Sequence, residues 1–186
     1  MAENGPRLLL IEETTVMDVT SLQSDKSNES LTIRPIRLKD AEMEAEFVRR
    51  LSPESKHFRF LGGLRELSPK MLREFCDVDG RHSMAFVATV QEDGRETEVG
   101  VSRYSPNNAE DCREMAVTVA DEWQHMGIGT LLTQKLIDFA KGHGVKNLYS
   151  VDLADNIHMR KLAADLGMSS RRDPEDAHQV IYSLAL

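Results

Sequence analysis

Residues 112–142 pass from a strand pattern, through a turn with two glycines, into an amphipathic helix. That order constrains the fold more than any other feature of the chain. In Cys112–Ala120 (CREMAVTVA), Met115, Val117 and Val119 alternate with Glu114, Ala116 and Thr118, so the two sets face opposite sides of a strand. Gly127 and Gly129 follow. Ile128, Leu131, Leu132, Leu136 and Phe139 then recur at helical spacing until Gly142 or Gly144 ends the run. A helix that starts at the end of a strand aims its unpaired first N–H groups, with the positive end of its dipole, at whatever lies beyond, which suits an anion such as a phosphate. Glycine at 127 and 129 omits Cβ atoms that would hold such a ligand off the backbone. Two glycines alone would serve a plain strand-to-helix turn equally well.

The flanking sequence fits a layered α/β domain. Thr32–Arg37 (TIRPIR) alternates as a strand that Pro35 places at an edge or a bulge. Asp40 is expected to cap a helix with Met43, Phe47, Val48 and Leu51 on one face, and short helices are expected over 53–61 and 68–76, the second opened by Ser68-Pro69. Strands at 83–91 and 96–104 flank a turn at Glu92–Arg95, which makes a hairpin. After the central helix come a strand at 147–153 and a helix capped by Asp155 or Asn156, carrying Met159, Leu162, Ala163 and Leu166, with Gly167 past its end. A last strand covers 179–185. This order is not a regular βαβ repeat and predicts a mixed sheet flanked by helices, one domain over residues 31–186.

Residues 1–30 read as an arm. Leu8–Val19 has extended character, while Ser21–Ser30 is polar and linker-like; the arm is open to adding a strand, contacting a partner or staying mobile. It is also acidic, with 6 acids against 2 bases, and so holds half of the net charge of −8. The acidic balance argues against nucleic acid as a partner, because phosphate binding needs Lys and Arg to displace counterions. Leu8–Ile11 is too short for a signal-peptide core, and no stretch approaches the ~20 apolar residues of a membrane span, so a soluble, cytoplasmic protein is expected, with no membrane partner. Two cysteines, Cys76 and Cys112, cannot build a disulfide framework and are expected as thiols. The six histidines show no paired ligand spacing, so no metal site is expected.

The glycine turn is not a Walker A loop, since no Gly-Lys-Ser/Thr follows, and as a dinucleotide fingerprint it lacks the third glycine. What fits is Gln124-x-x-Gly127-x-Gly129, which resembles the acyl-CoA pyrophosphate loop of the GNAT superfamily of N-acetyltransferases. Asn156–Met168 is similar to that family's later motif, an Asn-capped helix ending in Leu-Gly-Phe, with Met168 in place of Phe. Ile33–Arg37 with Asp40, Leu51–Ser55, Arg59-Phe60, Met84–Ala88, Glu114–Asp121 and Trp123-Gln124 are similar to the acetyltransferase domain of bacterial Pat-type protein lysine acetyltransferases. The resemblance covers roughly residues 31–186 and implies a mixed, mostly antiparallel sheet flanked by helices.

It also implies a site. Acetyl-CoA would be the co-substrate, with Val117, Thr118 and Val119 offering backbone hydrogen bonds to pantetheine. Gln124, His125, Met126, Gly127, Ile128, Gly129 and Thr130 would surround the pyrophosphate, and Asn156 would touch the pantetheine arm. Glu114 stands where the family places a general base. The implied acceptor is a primary amine, most naturally a protein lysine; a small amine and a non-catalytic acetyl-CoA-binding regulatory domain remain alternatives. One departure bears on the second of these. Many family members place a Tyr general acid one position after the equivalent of Leu162, and here that residue is Ala163. Trp123 reads as a packing anchor, and Tyr104 as a weak candidate for the acceptor site. Arg160 and Lys161 read by default as exposed helix charges, with the CoA 3′-phosphate as the sharper alternative.

Overall fold

The computed structural model describes residues 15–18, 30–62, 64, 66–107 and 111–186. The strands are Thr15–Asp18 (β1), Ser30–Pro35 (β2), Met84–Glu92 (β3), Arg95–Pro106 (β4), Cys112–Val119 (β5), Asn147–Leu153 (β6), Ser169–Arg172 (β7) and Gln179–Ala185 (β8). The helices are Ala41–Arg50 (α1), Pro53–Phe60 (α2), Pro69–Cys76 (α3), Ile128–Gly142 (α4) and Ile157–Asp165 (α5). The strands form one eight-stranded sheet in the order β1-β2-β3-β4-β5-β6-β8-β7. Every neighbouring pair is antiparallel except β5 and β6. The mixed, mostly antiparallel sheet flanked by helices is the architecture expected.

Local chemistry explains most of the boundaries. Asp93 and Gly94 both have positive φ, at 51° and 76°, which is the two-residue turn whose twist suits a hairpin between β3 and β4. Ser52 and Ser68 cap α2 and α3 by accepting from Ser55 N at 3.1 Å and Met71 N at 3.3 Å, each with proline at the first helical position. Asp40 departs from its expected role. It occupies the position before α1, but its side chain makes no cap bond there. Instead it takes the Arg34 guanidinium in a fork at 2.6 and 3.1 Å, together with Arg37 N at 2.8 Å. A buried arginine needs a carboxylate more than an open helix end does.

At the sheet edges, β1 takes up one of the three options open to the arm and moves β2 off the edge, and β7 was not expected. β1 lies within the N-terminal arm and pairs with β2 from Thr15↔Ile33 to Asp18↔Ser30, so β2 is an inner strand. Pro35 is tolerated because it lies beyond the end of β1, where it pairs with Phe86 on the other side. Apart from Ser30, the linker expected over Ser21–Ser30 lies outside the described residues. β7, Ser-Ser-Arg-Arg, is exposed throughout and carries no apolar alternation to mark it as a strand.

The core lies between the sheet and its helices. Leu132, Leu136, Ile137 and Ala140 of α4 are buried together with Phe86, Val101, Met115 and Trp123. Gly100 on β4 lets α4 come close. A Cβ there would stand 3.0 Å from Leu132 Cδ1 and 3.1 Å from the Thr118 carbonyl oxygen, closer than packed side chains sit.

Candidate active site

The site begins where the two parallel strands part. β5 and β6 pair only at Cys112↔Asn147, Arg113↔Leu148 and Glu114↔Tyr149. Beyond that, β5 stays paired with β4 as far as Val119↔Gly100, and β6 stays with β8 as far as Leu153↔Gln179. The facing edges of Met115–Val119 and Ser150–Leu153 therefore have no strand partner, and a cavity of about 450 Å³ opens along them. Its walls include Glu114, Val117, Thr118, Val119, Asp152 and Asn156.

At one end the cavity meets the start of α4. The approach needs two left-handed residues, His125 at φ 64° and Gly127 at φ 80°, and glycine takes that conformation without strain. No side chain caps α4, so its first N–H groups face the cavity, which His125, Gly127, Ile128, Gly129 and Thr130 line. Gly129 is not required by internal packing: a Cβ there would meet Val119 Cγ2 at 3.7 Å, an ordinary contact. Met126 differs from its neighbours, since it packs against the core and lies outside the cavity wall.

Gln124 has a bracing role that its sequence position did not disclose. Its Nε2 donates to the Val119 carbonyl at 3.1 Å and to Ser55 Oγ at 3.2 Å, tying α2 to the end of β5. Asp121 completes the brace by accepting from Ser52 Oγ at 2.6 Å, Ser55 Oγ at 2.8 Å and Ser52 N at 2.9 Å. Burial works to raise the Asp121 carboxyl, but these hydrogen bonds outweigh it and hold it below the ordinary carboxylate value.

Glu114 marks the other end. It is exposed rather than buried among apolar neighbours, and it accepts a hydrogen bond from the Tyr149 hydroxyl at 3.2 Å. Arg59 of α2 lines the cavity between the two strands, with its guanidinium over the Phe60 ring at 5.0 Å and the Phe75 ring at 5.7 Å. Burial and the nearby Arg103 cation push Arg59 down to about 10, while the Glu44, Glu114 and Asp152 charges work the other way. It stays charged at neutral pH.

Asn156 does what a helix cap does and more. Its Oδ1 accepts from Met159 N at 3.0 Å, and its Nδ2 donates to Asp152 Oδ1 at 3.0 Å. Asp152 is the residue that sequence reasoning missed; a single Asp in an apolar strand, four residues before a helix cap, gives little sign of its orientation. Tyr104 is buried in the core beside Phe139 and does not line the cavity. Trp123 is fully buried, as a packing anchor is. Lys161 reaches the cavity wall and Arg160 does not.

The arrangement fits acetyl-CoA. An uncapped helix start offers donors for a pyrophosphate, the open β5 edge offers peptide groups to pantetheine, and Thr118 Oγ1 is buried beside the cavity with no hydrogen-bond partner. Comparison with known proteins agrees. Residues 46–168 match the Acetyltransferase (GNAT) family, and the chain belongs to it. It is 49% identical over 154 residues to the acetyltransferase PA5475 of Pseudomonas aeruginosa, covering 83% of each chain. It superimposes on the GNAT domain of S. lividans PAT with a TM-score of 0.76 at 27% identity, covering 84% of this chain and 91% of that one. An acetyltransferase of the GNAT family from Streptococcus pneumoniae shares the fold with a TM-score of 0.69 at 18% identity, over 84% of this chain and 99% of that one. The chain is an acetyl-CoA-dependent N-acetyltransferase. No helix among the described residues is long and apolar enough to cross a membrane.

Proposed function

We propose that this protein transfers acetyl directly from acetyl-CoA to the side-chain amine of a protein lysine. The observation that carries the reading is the parted β5–β6 pair, with an uncapped helix start at one end and an exposed carboxylate, Glu114, at the other. Val117–Val119 would hold pantetheine along the strand, Gln124–Thr130 the pyrophosphate, with Met126 contributing backbone alone, and Asn156 the pantetheine arm. The protein acceptor rests on the similarity to Pat-type acetyltransferase domains and on an open cavity end that admits a side chain borne on a large surface. Cys76 and Cys112, both free thiols, suit the reducing cytoplasm in which such an acceptor would be met.

Glu114 acts on the acceptor. A lysine amine with pKa ≈ 10.4 is neutral in only ~0.04% of molecules at pH 7, so the ammonium must lose a proton before it attacks. Glu114 takes that proton at the mouth and passes it to water, while the start of α4 fixes the far end of the co-substrate. Incubation with acetyl-CoA and candidate protein acceptors, read by mass spectrometry for acetyl-lysine and by release of free CoA thiol, tests the reading. CoA release with small amines and none with proteins would move the acceptor to a small amine. Acetyl-CoA binding without release in any mixture would leave a binding domain.

A further inference from the structure

The transfer needs a second proton step beyond the one assigned to Glu114. Once the neutral amine attacks, its nitrogen carries a positive charge and one proton too many, while the departing sulfur leaves with an electron pair and needs one. Ala163, at the position where many relatives carry a tyrosine, is buried and lies outside the cavity wall. Asp152 lies within that wall. It stands three residues past Tyr149 on β6, as Val117 stands three past Glu114 on β5, so the two flank the gap at corresponding positions. Oδ1 accepts from both Leu153 N at 2.8 Å and Asn156 Nδ2 at 3.0 Å, which fixes the carboxylate and leaves Oδ2 for a substrate.

We propose that Asp152 is the proton shuttle of the transfer, taking the second amine proton and returning it to the departing CoA sulfur. This rests on the acetyltransferase reading given above. The ammonium first loses one proton to Glu114 and so to water. The amine lone pair then forms the C–N bond, and the carbonyl π pair moves onto oxygen. Asp152 Oδ2 accepts the remaining excess proton from nitrogen. The oxygen pair restores C=O as the C–S bond breaks, its electrons leave on sulfur, and protonated Asp152 gives the proton to that sulfur. The products are the amide and the CoA thiol, one proton has gone to water, and Asp152 is again a carboxylate.

The surroundings suit a group that must both take and give. Burial pushes Asp152 up to about 6, against the hydrogen bonds from Asn156 and Leu153 and the Arg59 cation of α2; the Asp155 charge in the turn before α5 adds to the rise. Tyr182 of β8 faces it as a neutral hydroxyl, its own ionisation opposed first by burial. A carboxyl near 6 is ionised at neutral pH, yet when protonated it passes its proton downhill to a thiolate, whose usual pKa is about 8.5.

The test is the pH dependence of kcat with acetyl-CoA and poly-L-lysine for the wild type, Asp152→Asn, Asp152→Glu and Glu114→Gln. Asparagine retains an oxygen to accept both hydrogen bonds at Oδ1 and loses only the proton acceptor. The wild type should show an acidic limb inflecting near 6. Asp152→Asn should lose that limb and ~10²-fold in kcat, with acetyl-CoA affinity by calorimetry unchanged. Asp152→Glu should regain part of the rate and the limb, and Glu114→Gln should keep the limb. A wild type without a limb near 6, or an Asp152→Asn variant that keeps both limb and rate, overturns the role of Asp152 alone. A wild type that binds acetyl-CoA and acetylates no amine overturns the enzymatic reading, and this role with it.

Discussion

Glu114 and Tyr149 are the last residues at which β5 and β6 remain paired, and the Tyr149 hydroxyl donates to the Glu114 carboxylate across that final step of the ladder. The proposed base therefore stands at the point where the sheet opens. Tyr149→Phe removes the hydrogen bond to Glu114, worth roughly 1 kcal/mol, together with the one to Asn107, and should lower kcat/KM about fivefold with little effect on acetyl-CoA affinity. Glu114→Gln should cost ~10²–10⁴ in kcat/KM at neutral pH, a loss that shrinks as pH rises and more amine deprotonates unaided. Steady-state kinetics from pH 6 to 10 compare the two; a Glu114→Gln variant with the wild-type profile would remove Glu114 from the reaction.

Gly129 separates ligand binding from folding. Gly129→Ala should fold normally, because its Cβ meets only Val119 Cγ2 at an ordinary 3.7 Å. Gly129→Glu adds a negative charge where the helix start is to receive pyrophosphate. A loss of ~2 kcal/mol there corresponds to about a 30-fold weaker acetyl-CoA complex. Calorimetry gives the affinity and circular dichroism the fold. Unchanged affinity in a folded Gly129→Glu variant would place the co-substrate elsewhere.

On β4, Glu98 is fully buried close to Glu44, whose Oε1 is held by Arg103 at 2.6 Å. Burial first, and the Glu44 charge second, hold the Glu98 carboxyl well above its ordinary value. Above that ordinary value the folded state binds the extra proton, so this contribution to stability is present at acid pH and is lost as pH rises towards the folded value. Glu98→Gln stays neutral throughout. Its melting temperature should gain on the wild type by ~3 °C or more between pH 5 and pH 8; parallel curves would show that Glu98 ionises in place.

The N-terminal arm reaches the sheet at its far edge, where β1 pairs with β2, four strands from β5. Removal of residues 1–29 should leave acetyl-CoA affinity within about twofold, since distant sites act independently. It should also expose the β2 edge and promote self-association, read by light scattering. A large loss of affinity would tie the arm to the site.

Periodic burial made much of this legible. The β3–β4 hairpin, the strand–turn–α4 unit and the capped α5 all announce themselves through alternation, glycine at left-handed positions and Asn or Ser before helices. β7 was silent because all of its residues are exposed, and β1 was legible only as extended character within Leu8–Val19, because four residues of an arm carry too little pattern to choose a strand over the other options. At the site, the glycine loop was readable because backbone chemistry constrains residue type there. Asp152, Arg59 and Tyr149 were not, because what matters about them is which strand or helix they meet across a gap. Sequence spacing carries no such distance. Asp40 shows the same limit: its position suggested a cap, and a partner six residues back, Arg34, claimed it.

The closeness of α4 to β4 at Gly100 has a further consequence, for how activity could drift through mutation. The missing methyl group there acts as a spacer gauge: it sets the depth at which α4 beds down at Leu132, one turn from the uncapped first N–H groups of the same helix end. Any residue larger than glycine would press on Leu132 and on the Thr118 carbonyl. Affinity for the co-substrate can thus be detuned from a strand that never touches it.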